Sequence, residues 1–166
     1  TSTFIQVLKA YSTFNNDGFM ITPHIVSHLT YDNSQYKPYN DKPEKIISKP
    51  TADLMKQLLV QTVNEGTGRA AKIEGLEIGG KTGTAQIARG GKYLKQYISS
   101  FFGFVNDEHG NSYTIGVTVI NPISTGKNWY YYYASWSAVP VFKEIVQNLV
   151  KLNYLTPKEG IIPNKN

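Results

Sequence analysis

The residues best equipped for chemistry lie together in Gly80-Lys81-Thr82-Gly83-Thr84-Ala85-Gln86. One cation, two hydroxyls and a position without a side chain fall within a few residues. Upstream, Leu76-Glu77-Ile78 alternates apolar and polar, which is strand patterning. If that strand runs on through the stretch, Lys81 and Gly83 share one face, and Thr82 and Thr84 the other. A glycine inside a strand marks a close approach by a ligand or another backbone. The local expectation is an edge-like strand presenting an ammonium and two hydroxyls to an anionic group.

Two patterns fit these letters. Gly75, four residues and then Gly80-Lys81-Thr82 match the phosphate loop G-x-x-x-x-G-K-[ST]. That loop needs an apolar strand before the first glycine and a helix opening at the lysine. Ala70 to Glu74 is a poor buried strand, and Gly83, Gly90 and Gly91 are poor helix formers. Nucleotide binding is therefore the weak alternative.

The second pattern is the K-T-G box of serine acyltransferases that react with penicillin. Its flanks extend the match: Gly66-Thr67-Gly68-Arg69-Ala70-Ala71 before it, and Ser100-Phe101-Phe102-Gly103-Phe104-Val105 after it. Tyr132-Tyr133-Ala134-Ser135-Trp136-Ser137 leads into a closing apolar segment, and Ala10-Tyr11-Ser12-Thr13-Phe14-Asn15-Asn16-Asp17-Gly18 opens the chain. In order and spacing, residues 1–155 resemble the penicillin-binding proteins, nearest the class B, cell-division type of D,D-transpeptidase.

The resemblance implies an α+β fold, an antiparallel sheet of five strands packed between helices. It implies that Lys81 supplies positive charge and tunes proton transfer. Thr82 and Thr84 would hold the carboxylate of a D-alanyl terminus or a β-lactam. The Thr84 N–H would form half of an oxyanion hole, and Gly83 would let the substrate backbone lie against the strand. The family's nucleophile is the serine of S-x-x-K, with a further S-x-N box. This chain has no S-x-N, and its two S-x-x-K matches, Ser34 to Lys37 and Ser124 to Lys127, stand before Pro38 and around Gly126. Neither context is a helix start.

The expectation is thus the C-terminal part of a peptidoglycan D,D-transpeptidase, inactive alone, completed by the S-x-x-K and S-x-N segments of the same enzyme. A non-catalytic β-lactam-binding sensor module is the alternative. No cofactor or metal is implied. Stem peptides and β-lactams are the implied ligands, division-associated membrane proteins the implied partners, and the periplasmic side of a bacterial inner membrane the implied setting.

Composition agrees with a globular piece. The chain has 166 residues, 40% of them hydrophobic, with no cysteine. Mean hydropathy is −0.33. Net charge is +5, with Arg69, Lys72, Lys81, Arg89, Lys92 and Lys95 gathered around the box. Basic charge alone does not make a nucleic-acid site, and no binding motif accompanies it. His24 and His28 lack a completing glutamate, and His109 falls in a hairpin tip, so all three read as solvated or packed.

The positioning elements follow from periodicity. Thr1-Ser2 caps a helix bearing Phe4, Ile5, Leu8 and Tyr11. Phe19 to Thr22 and Ile25 to Leu29 read as short strands, and Tyr31 to Glu44 as a surface excursion. A helix over Pro50 to Asn64 carries Leu54, Met55, Leu58, Leu59 and Val63 inward, and Gly66 and Gly68 stop it. The box strand follows, then a mobile Gly90-Gly91-Lys92 connection and strands over Tyr97 to Val105 and Tyr113 to Ile120. A last helix starts near Pro140 with Val141, Phe142, Ile145, Val146, Leu149 and Leu152 as its apolar face. Tyr130 to Tyr133 forms a packed rim, and Thr156 to Asn166 a disordered tail.

Overall fold

The computed structural model describes residues 2–39, 42–123 and 130–158. Its centre is a three-stranded antiparallel sheet of β5 (Glu77–Arg89), β6 (Lys92–Asn106) and β7 (Ser112–Ile120), with β6 in the middle. Successive side chains of β6 point to opposite faces, and the two faces have different covers. Phe101 meets Phe142 of helix α3 (Ala138–Lys151) edge-on at 4.8 Å. Phe102 meets Phe4 and Tyr11 of helix α1 (Phe4–Ser12) at 5.1 and 5.7 Å. Phe101, Phe104 and Phe142 are fully buried, each worth about 1.5–3 kcal/mol of hydrophobic stabilisation. Helix α2 (Lys49–Glu65) lies along β5, its Lys56 ammonium above the Phe104 ring.

The α+β class holds, with helices packed on an antiparallel sheet. The strand count differs from the five implied by resemblance, because the remaining strands pair locally. Strand β1 (Phe19–Met20) pairs with β4 (Glu44–Lys45). Strand β2 (Leu29–Tyr31) pairs with β3 (Ser34–Tyr36) across Asp32-Asn33, both in the left-handed region. That turn geometry closes a two-residue hairpin, so the first part of the polar excursion, Tyr31 to Tyr36, belongs to this hairpin. Ile25 to His28 is not a strand.

Other boundaries shift for identifiable reasons. Helix α1 is capped by Thr3, not Thr1-Ser2, because Gln6 completes a reciprocal capping box with it. Helix α2 buries Ala52, Leu59 and Val63, while Leu54 and Leu58 face outward. Helix α3 buries Ala138, Val139, Phe142 and Val146, leaving Val141, Ile145 and Leu152 largely exposed. Gly90 and Gly91, at φ of 60° and 75°, form a tight turn that joins β5 directly to β6. The connection expected to be a mobile loop is the tip of a long hairpin.

The segment expected to be a free tail begins tied down. Leu155 is buried. The Thr156 N–H donates to Asp107 at 2.9 Å, and the Lys158 N–H to the Gly75 carbonyl at 2.9 Å. Residues 159–166 lie outside the described residues.

Candidate active site

Strand β5 is an edge strand, so every second residue directs its backbone N–H and C=O away from the sheet. The register with β6 is continuous from Glu77↔Asn106 to Gln86↔Tyr97 and shifts between Gln86 and Ala88. Gly80, Lys81 and Thr82 therefore stand inside a strand. A phosphate loop needs a helix N-terminus there, so the structure rules out that alternative.

The four expected site residues fall within this strand, and two of them, Lys81 and Thr82, share one hydrogen-bonded system. Lys81 is exposed, and its ammonium donates to the Thr82 carbonyl at 3.2 Å and its hydroxyl at 3.5 Å. The Thr82 hydroxyl also lies 2.7 Å from that of Thr67. Thr84 accepts a hydrogen bond from the Ala134 N–H at 3.2 Å. An added Cβ at Gly83 would meet nothing within 4 Å.

These contacts bias the hydroxyl protons. A hydroxyl has one proton and two acceptor lone pairs. At Thr84 one lone pair is occupied by Ala134, and the proton is left to donate outward. At Thr82 the ammonium can only donate, and Thr67 can donate as well. With both directed at its oxygen, the Thr82 proton is also left for a ligand. Two hydroxyl donors and an ammonium are the equipment for binding a carboxylate.

Thr67 had no role assignable from sequence. It sits in the turn after α2, and the fold carries it fifteen positions along the chain to Thr82. The signal available in sequence was only its place in Gly66-Thr67-Gly68. Arg69 in that turn donates to the Glu65 carbonyl at 3.4 Å and so closes the end of α2.

The tyrosine rim is packed, as its composition implied. Tyr132 stacks on Tyr97 at 4.1 Å, and Tyr130 tilts against Trp136 at 4.7 Å. The Ser99 hydroxyl donates to the Tyr132 carbonyl. A hydrogen bond with Tyr133, with desolvation and the neighbouring phenols, pushes the Tyr132 hydroxyl up to about 12, so it stays protonated at neutral pH. Ala134 is buried in the short 3-10 turn after this rim and supplies the N–H for Thr84. Its φ is not positive, so the position does not require glycine.

Other candidates have their contacts elsewhere. His24 stacks on Tyr39 at 3.7 Å, His28 contacts the Ser27 hydroxyl at 3.0 Å, and the His109 N–H caps Asp107. Ser34 lies in exposed strand β3 and opens no helix. Ser124 to Lys127 lie outside the described residues.

Similarity to known proteins bears on the family and the fold. The family profile "Penicillin binding protein transpeptidase domain" matches residues 1–147. The chain is 33% identical over 166 residues to stage V sporulation protein D of Bacillus subtilis, covering 98% of this chain and 24% of that protein. It is 27% identical over 172 residues to a peptidoglycan D,D-transpeptidase FtsI homolog of Mesostigma viride, covering 92% of this chain and 27% of the relative. The solved transpeptidase domain of Burkholderia pseudomallei penicillin-binding protein 3 superposes with a TM-score of 0.69 at 27% identity, over 94% of this chain and 44% of that one. The chain thus spans about a quarter of the length of these curated relatives. A strand-borne Lys-Thr-Gly-Thr set at an open sheet edge, within a match over residues 1–147, shows that the chain belongs to the penicillin-binding protein transpeptidase domain family.

Proposed function

We propose that this chain is the carboxylate-binding side of a peptidoglycan D,D-transpeptidase. The observation that carries the reading is the Lys81-Thr82-Thr67 cluster at the edge of β5, beside the unobstructed Gly83. A D-alanyl-D-alanine terminus lies along this edge, with its carboxylate held by the Thr82 and Thr84 hydroxyls and the Lys81 charge. The carbonyl of the penultimate residue points to the Thr84 N–H. Thr82 and Thr84 have the same parity on the strand. A Thr82 carbonyl that receives the Lys81 ammonium supports an outward N–H at Thr84.

Acyl transfer then needs a serine. Its oxygen attacks that carbonyl, the terminal D-alanine leaves with a proton on its nitrogen, and an ester remains. An amine on a neighbouring stem peptide attacks the ester and releases the serine. The serine belongs to the S-x-x-K segment of the same enzyme, and this chain alone is inactive. No helix of the described residues is long and apolar enough to cross a membrane. The setting is the periplasmic side of a bacterial inner membrane, reached through an anchor elsewhere in the protein, with division-associated membrane proteins as partners.

Fluorescent-penicillin labelling tests the reading. The 166-residue chain is expected to stay unlabelled, and the complete enzyme to label stoichiometrically. Lys81→Ala in the complete enzyme is expected to slow acylation by about 10²-fold, the scale of losing one preorganised electrostatic group. A wild-type rate in that variant removes Lys81 from the site. Labelling without any transpeptidation of a stem peptide would identify a sensor module instead.

A further inference from the structure

Strand β7 stops pairing with β6 at Ile98, so beyond that point β5 and β6 continue as a free two-stranded ribbon ending at Gly90-Gly91. From Ile78 to Val105 the sequence contains no Asp or Glu, and it contains Lys81, Arg89, Lys92 and Lys95. Arg89, Lys92 and Lys95 are exposed, and none of their side chains has a hydrogen-bonded or ion-pair partner among the described residues. The ribbon is held at its root: Tyr97 stacks on Tyr132, and its carbonyl accepts from the Asn121 N–H at 2.7 Å. The register shift between Gln86 and Ala88 re-aims the outer part, the common effect of a bulge.

The site itself gives a direction along this strand. The terminal carboxylate sits at Thr82, and the carbonyl one residue upstream sits at Thr84. The rest of the peptide must therefore run antiparallel to β5, toward Gln86 and then the ribbon. At about 3.3 Å per residue, a residue two positions upstream of that carbonyl lies level with Gln86 to Ala88. It is then within reach of long cationic side chains at the ribbon. We infer that Arg89, Lys92 and Lys95 determine specificity for a donor peptide bearing an acidic residue two positions before the acylated one, by pairing with its free carboxylate. This rests on the transpeptidase reading above and extends it from the D-alanyl terminus to the upstream half of the substrate.

The test measures acylation efficiency of the complete enzyme with two synthetic peptides. One is L-Ala-γ-D-Glu-L-Lys-D-Ala-D-Ala, and the other carries that glutamyl α-carboxylate as an amide. Benzylpenicillin acylation is followed in parallel. The wild type is expected to prefer the acid by about tenfold, mainly through KM, with the preference shrinking as salt rises. The variant Arg89→Gln/Lys92→Gln/Lys95→Gln is expected to abolish the preference. The charge-keeping variant Arg89→Lys/Lys92→Arg/Lys95→Arg is expected to keep it. Equal efficiency with both peptides in the wild type, or an unchanged preference in the neutral variant, overturns the inference while the transpeptidase reading stands. A wild type acylated by neither peptide nor benzylpenicillin overturns both.

Discussion

Along strand β5, Gly79 and Gly80 lie beneath aromatic rings, whereas three residues on Gly83 faces open space. A Cβ at Gly80 would come within 2.5 Å of Phe101, and one at Gly79 would overlap the Phe104 ring. At Gly83 no atom stands within 4 Å. The same residue type thus serves two needs. At one end glycine lets the protein close on itself; at the other it leaves a length of strand unobstructed. The surroundings follow the same division. The first end is locked by Lys56–Glu77 at 2.7 Å, by Asn106–Glu77 at 2.8 Å, and by reciprocal amide bonds between Asn15 and Asn106 at 2.8 Å. Desolvation of the Glu77 carboxyl is outweighed by those Lys56 and Asn106 bonds, and its pKa is lowered. The second end carries cations and hydroxyls with capacity to spare. One strand therefore combines a part that is packed against the core and a part that is left open.

The largest effect is expected on the closed side. Gly103 pairs with Gly80, and a Cβ there would overlap the Gly79 carbonyl oxygen. Backbone cannot yield as a side-chain tip can. Gly103→Ala should cost about 3 kcal/mol, the upper part of the overpacking range, read as a fall in the urea midpoint. An unchanged midpoint would break the contrast between the two ends.

The open side should respond in the reverse sense. Gly83→Ala should leave stability within about 0.5 kcal/mol. It should slow acylation by a D-Ala-D-Ala peptide about tenfold, or about 1.4 kcal/mol, if substrate backbone lies there. A destabilised protein with normal kinetics would reverse the assignment. A smaller change sharpens the comparison at the hydroxyl cluster. Thr67→Val removes one partner of Thr82 and should cost about 1 kcal/mol of transition-state stabilisation, and Thr67→Ser should restore it. Equal rates in all three proteins would make the Thr67–Thr82 contact incidental.

The smallest effect concerns the turn beyond the closed end. Desolvation acts upward on the Asp107 carboxyl. It is outweighed by hydrogen bonds from the Asn111 side chain and from the Thr156, Asn111 and His109 N–H groups, which hold it down at about 2 from the usual 3.8. A depressed carboxylate pKa stabilises the folded form above the unfolded value, and that contribution is lost as pH falls through the folded one. Protection of the Thr156 amide from hydrogen exchange should therefore persist at pH 4 and fade toward pH 2. The Gly83 end should show no matching transition. Loss of protection already at pH 4 would show that Asp107 does not hold the segment at Leu155 to Lys158.

Much of the scaffold was legible because its signals are local. The β-branched and aromatic runs of β6 and β7, the glycine stops after α2, and the strand alternation through Leu76-Glu77-Ile78 depend on near neighbours in sequence. That Lys81, Thr82, Gly83 and Thr84 share one strand was also visible, because a spacing of two on a strand sorts them by face without further information. Which side of α2 is buried was not visible. Leu54, Leu58 and Ala52 all fit an amphipathic helix, and only the docking of α2 onto the rest of the fold decided that Ala52 is buried while Leu54 and Leu58 face outward.

What residue order settled by itself was the identity and spacing of the groups that can hold an anion, and the alternation that places them on one strand. Tertiary structure decided which of those groups have company. Thr67 reaches Thr82, and Ala134 reaches Thr84, across fifteen and fifty positions. Among the described residues no acidic side chain is brought to the cations of the ribbon, and β7 does not extend beside them. Such contacts form between segments that the chain brings together only on folding, so no pattern of near neighbours encodes them.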